Sequence, residues 1–115
     1  MYSKPKLMQG VFPFEGRGLH NPFPLSGELT YAVPAGKRGQ LVYFRAGNSA
    51  AEMIYVALMR DGSPMRLFPV GARGDVHVAL AVVEDLMSGT KLEVSLAAPE
   101  GVSGSVVLDI GMVEV

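Results

Sequence analysis

The chain has 115 residues, 49% hydrophobic and 18% charged, with no cysteine and a net charge of −1. One domain of this length buries roughly two-thirds of its unfolded surface, so it needs no disulfide or metal for stability. Disulfides, thiol chemistry and Cys-ligated zinc are excluded. The near-neutral charge argues against nucleic acid as principal partner.

Residues 1–26 read as an extended N-terminal arm. They carry Pro5, Pro13, Pro22 and Pro24 with Phe12, Phe14 and Phe23 between them. Such a segment lacks the means to fold alone, and the three phenylalanines are expected to anchor it in apolar pockets of a neighbour. The opening MYSKPKLMQG has no apolar run of the kind a signal peptide requires, so synthesis in the cytoplasm is expected. No stretch approaches the length of a membrane span, and no membrane is expected as partner.

Residues 27–115 break into short β-prone runs at turn signals. GELTYAV (27–33) ends at Pro34-Ala35-Gly36, and QLVYFRA (40–46) ends at Gly47-Asn48-Ser49. EMIYVALMR (52–60) and PMRLFPV (64–70) flank Asp61-Gly62, a strong hairpin dipeptide. DVHVALAVV (75–83), KLEVSLA (91–97) and SVVLDIGMVEV (105–115) follow, with one helical turn expected near 83–87. This spacing predicts an all-β fold, an antiparallel β-sandwich or jelly-roll-like domain of about seven strands.

Alternation assigns the core face in the last three runs. Val76, Val78, Leu80 and Val82 form one set, Leu92, Val94, Leu96 and Ala98 the next, and Val106, Leu108, Ile110 and Met112 the third. On the opposite faces Lys91, Glu93 and Ser95 are expected to be wet. His77, Ala79 and Ala81, like Val107, Gly111 and Val113, form a flat, weakly polar surface suited to another subunit or to the arm itself.

Catalytic chemistry finds little support. The only histidines are His20 and His77, too few for a multi-histidine metal site. Asp61, Asp75, Glu84 and Asp85 sit near strand ends, but no D-x-D-x-D-G calcium loop is present. Gly101-Val102-Ser103-Gly104-Ser105 has its second glycine one place out of step with a nucleophile elbow and leads into a strand. Gly71-Ala72-Arg73-Gly74 is too short for a phosphate loop. No metal and no cofactor is expected. Tyr43, Arg45 and Tyr55, with Leu41 and Met53 beside them, are expected to share an outward face, which with His77 forms a candidate interface or ligand face. A tyrosine platform of this kind suits a sugar ring.

Charge divides along the chain. Residues 1–45 hold Lys4, Lys6, Arg17, Lys37, Arg38 and Arg45 against Glu15 and Glu28; residues 46–115 hold four basic and nine acidic groups. A basic front and an acidic back attract between copies. A small, charge-poor, apolar domain also leaves apolar surface exposed unless a partner covers it. The expected function is therefore structural and non-enzymatic. The chain would form homo-oligomers or decorate a larger protein shell, with a virion as one setting. Capsid decoration proteins of tailed phages work in this general manner, a likeness of architecture that no residue motif carries. The alternative is a lectin-like, carbohydrate-binding module whose partner is a glycan.

Overall fold

A computed structural model describes residues 4–80 and 85–115. Its strands are β1 (Lys4–Glu15), β2 (Phe23–Pro24), β3 (Thr30–Ala32), β4 (Gly39–Asn48), β5 (Ile54–Arg60), β6 (Ser63–Val70), β7 (Asp75–Ala79), β8 (Asp85–Leu86), β9 (Lys91–Ala97) and β10 (Ser103–Glu114). They form two antiparallel sheets. Sheet A runs β1-β10-β4-β7, with β8 also on β4; sheet B runs β2-β9-β5-β6, with β3 also on β9. Each sheet turns its apolar phase toward the other, and the result is a β-sandwich.

The alternation read from the sequence holds along β10 and in the first half of β9, beyond which Ser95 and Ala97 are buried as well. Leu92, Val94, Leu96, Val106, Leu108, Ile110 and Met112 are buried, while Val107 is 51% exposed. Between the sheets the rings of Phe44 and Phe68 stack at 4.0 Å, joining β4 to β6. A polar link accompanies this contact. The Tyr31 hydroxyl on β3 donates to the carboxylate of Glu114 on β10, a residue only 5% exposed. Burial first, then this bond and the carboxylate's charge, push the Tyr31 hydroxyl well above the ordinary tyrosine range.

The turn at Asp61-Gly62 is a two-residue hairpin joining β5 to β6, closed by the facing pair Arg60 and Ser63. Both turn residues have positive φ, 50° and 83°, as the twist of the flanking strands requires. At the other end of the sandwich Asn48 gathers the loops. Its amide donates to the carbonyls of Glu52 and Gly71, and its oxygen accepts from the Ala50 N–H.

The N-terminal segment differs most from expectation. It is part of the body and supplies a strand to each sheet: β1 lies along β10 for twelve residues, and β2 pairs with β9. Met8, Phe12 and Phe14 are 6–8% exposed and belong to the chain's own core. The prolines do not prevent this because of where they fall. The Gly16 N–H donates to the Val102 carbonyl in the register that also pairs Phe14 with Gly104. Even-numbered residues of β1 therefore bond β10, and odd-numbered ones direct N–H and C=O to the free edge. Pro5 and Pro13 are both odd, so neither removes a ladder bond.

Three further details depart from the sequence reading. Ser95, expected to be wet, is 7% exposed. β7 ends at Ala79, and the expected positions Ala81, Val82, Val83 and Glu84 lie outside the described residues. Of the helical turn expected near 83–87, Asp85 and Leu86 form β8 instead, paired with Gln40 and Gly39.

Candidate functional site

The outer face of sheet A carries the chain's most organised set of polar side chains. Odd-numbered residues of β1 and β10 point out here and meet β4 and β7 in rows. Gln9, Asp109, Arg45 and His77 form one row across β1, β10, β4 and β7. Leu7, Gly111, Tyr43 and Ala79 form the row on one side of it, and Val11, Val107, Gly47 and Asp75 the row on the other.

Asp109 is the hub. One carboxylate oxygen accepts hydrogen bonds from the Gln9 amide at 3.0 Å and the Tyr43 hydroxyl at 2.8 Å. The other oxygen lies 3.8 Å from the Arg45 guanidinium. The bonds from Gln9 and Tyr43 come first in holding this carboxyl below the ordinary aspartate value. Partial desolvation opposes them, and the charges of Arg45 and His77 add to the lowering. The same bond to Asp109 is the main reason that the Tyr43 hydroxyl is shifted upward.

Tyr43 reaches Asp109 because Gly111 lacks a side chain. The two residues face each other, and a Cβ on Gly111 would overlap ring carbons of Tyr43. The ring thus lies across the backbone of β10, while its edge meets His77 with centroids 6.1 Å apart at 89°. Beside this braced patch is a shallow cleft of about 390 Å³ lined by Arg45, Gly47, Asp75, His77, Val107 and Asp109. Leu7 (56% exposed), Val11 (65%) and Val107 flank the patch as open apolar surface.

Of the expected ligand face, Tyr43, Arg45 and His77 do come together. Tyr55 does not: it stands on β5 in sheet B, whereas Tyr43 and Arg45 stand on β4 in sheet A. Consecutive strands here belong to different sheets, so no tyrosine platform forms. Leu41 is likewise not beside Tyr43, because a bulge at Val42 returns Leu41 to the core. Met53 precedes β5. Phe12 and Phe14 are core residues, and Phe23 is a half-buried residue of sheet B with the Arg17 guanidinium 4.7 Å from its ring centre. The sequence reading missed Gln9 and Asp109 as site residues. Asp109 was already on an outward phase of a well-read strand, but Gln9 became legible only once β1 was known to be a strand.

The charge division closes partly within one chain, through Arg38 with Asp85 at 3.3 Å and Arg45 with Asp109. Asp61 is occupied with the backbone N–H of Lys91, and Asp85 also accepts from Gln40. Among the described residues no group of three or more histidine or acidic side chains is placed to hold a metal ion. No protein-family model matches this chain, and no curated protein matches it.

Proposed function

We propose that this protein is a non-enzymatic assembly module that engages protein partners through the outer face and free edge of sheet A. The observation that carries the reading is the exposed apolar set Leu7, Val11 and Val107 around a polar row already satisfied by its own hydrogen bonds. A braced, flat patch of this kind is ready for a partner with little ordering cost. The direction of the acidity shifts supports it. Asp109 is made more acidic and Tyr43 less acidic, so both move away from neutrality, the reverse of what an acid–base catalyst needs. Self-association and attachment to a larger protein shell, such as a capsid, use the same surface with different partners.

Light scattering and sedimentation velocity over a range of concentrations test the reading. A mass that rises with concentration, and that falls back when Val11→Lys is introduced, is the expected result. A chain that stays monomeric at every concentration speaks against self-assembly. The second reading is carbohydrate binding, favoured by the cleft between Arg45, Asp75, His77 and Asp109. Binding on a glycan array that Arg45→Ala abolishes, with oligomeric state unchanged, would replace the first reading with the second.

A further inference from the structure

The free edge of β1 is symmetric about Gln9. Its outward-directed residues, in order, are Pro5, Leu7, Gln9, Val11, Pro13 and Glu15. The prolines stand four residues to either side of Gln9, and between them three consecutive outward positions keep their N–H groups. An exposed strand edge of this kind is a template for another strand.

We infer that two copies of this chain pair antiparallel along β1, about a two-fold axis through Gln9, so that sheet A runs continuously through the dimer. The inference rests on the assembly reading and deepens it by naming the partner and the register. In this register Leu7 faces Val11 of the other copy, Gln9 faces Gln9, and Pro5 faces Pro13. Each of the three facing pairs between the prolines exchanges two backbone hydrogen bonds. Shifting the register by two residues sets a proline against Val11 or Leu7 and leaves only two uninterrupted pairs. The prolines thus act as end stops that select one alignment, in the way that turn geometry fixes the register of a hairpin.

The side chains agree with this alignment. Leu7 and Val11, at 56% and 65% exposure, would cover each other across the new strand pair. Each Gln9 amide gives one hydrogen to Asp109 and keeps a second donor and its own acceptor for the facing glutamine. Such pairing is isologous and closes at two copies, because each edge is used once. The β6 edge of sheet B is a poorer candidate. β6 is eight residues long and Pro69 interrupts its outward phase.

Cysteine crosslinking tests the register directly, since the natural chain has no cysteine. Facing residues in a hydrogen-bonded pair have Cα atoms about 5.5 Å apart, within disulfide range. Gln9→Cys should form a covalent dimer under mild oxidation. Leu7→Cys and Val11→Cys should each crosslink slowly alone and readily when mixed, because they face one another and not themselves. Val11→Pro, which removes an outward N–H and leaves the β10 ladder intact, should weaken the dimer about tenfold or more, read by sedimentation. A concentration-dependent oligomer without Gln9→Cys crosslinking, and with mass unchanged by Val11→Pro, overturns this interface while leaving the assembly reading in place. A chain that is monomeric throughout and does not crosslink overturns both.

Discussion

Replacing Phe14 by alanine separates two accounts of the N-terminal segment. If residues 1–15 were an arm docked on a neighbour, the isolated subunit would lose little. In the structure Phe14 is 6% exposed and belongs to the cluster that includes Phe12, Met8 and Val106. Truncating a buried phenylalanine costs about 3–5 kcal/mol, the transfer of the ring plus the cavity left behind. For a domain of this size that lowers the melting temperature by roughly 10–25 °C. Removing residues 1–15 withdraws Phe14, Phe12 and Met8 together and strips β10 of one neighbour, with a loss on the order of 10 kcal/mol. A small domain has about 5–15 kcal/mol in all, so the truncated chain should not fold. Circular dichroism melts and urea titrations at low protein concentration, where association is negligible, measure both effects. A truncated chain that unfolds cooperatively near the temperature of the full chain would show that β1 is an appendage and that its burial has been misjudged.

Other outcomes follow from the same packing. Leu108→Ala, 1% exposed, should cost about 2–5 kcal/mol in urea unfolding, whereas Val107→Ala on the opposite face should stay within about 1 kcal/mol in the monomer. Gly111→Ala should displace the Tyr43 ring and break its bond to Asp109, a loss of about 1 kcal/mol; the same change should bring the ultraviolet titration of Tyr43 down toward the ordinary tyrosine range. Asp109 has its folded-state acidity raised, so its contribution to stability is present above the unfolded value of about 3.9 and fades as pH falls through the folded one. Asp109→Asn should therefore be less stable than the parent near neutral pH and converge with it in strong acid; a gap that persists unchanged at low pH would mean that the carboxylate's charge is not what matters.

Much of the body was legible because its strands are half-buried and alternate cleanly. In β10 and the first half of β9 a period of two separates buried valines and leucines from the outward set, and Asp61-Gly62 marks a hairpin through its demand for positive φ. β1 was lost to a rule applied without position. Proline argues against a strand only where its missing N–H would face a neighbour, and Pro5 and Pro13 face outward. The signal was nonetheless in the chain: Met8, Gly10, Phe12 and Phe14 keep the same period of two as the later strands. The failed grouping of Tyr43 with Tyr55 has a different origin. Local pattern tells which way a side chain points relative to its own strand, but it does not say which sheet the strand joins. The bulge at Val42 is also invisible locally, because it answers to register against β10.

The pairing of β1 with β10 sets the order in which this molecule can come into being. Lys4 lies opposite Glu114, so the ladder joins segments far apart in the sequence. During synthesis β1 leaves the ribosome before β10 and waits, its phenylalanines uncovered, until that partner emerges. β4 can pair with β7 and β8 in the meantime, but its other neighbour, β10, comes later than either. The β5–β6 hairpin can form early, but sheet A closes only once β10 has emerged. Such long-range closure slows folding and prolongs the interval in which nascent chains can adhere to one another.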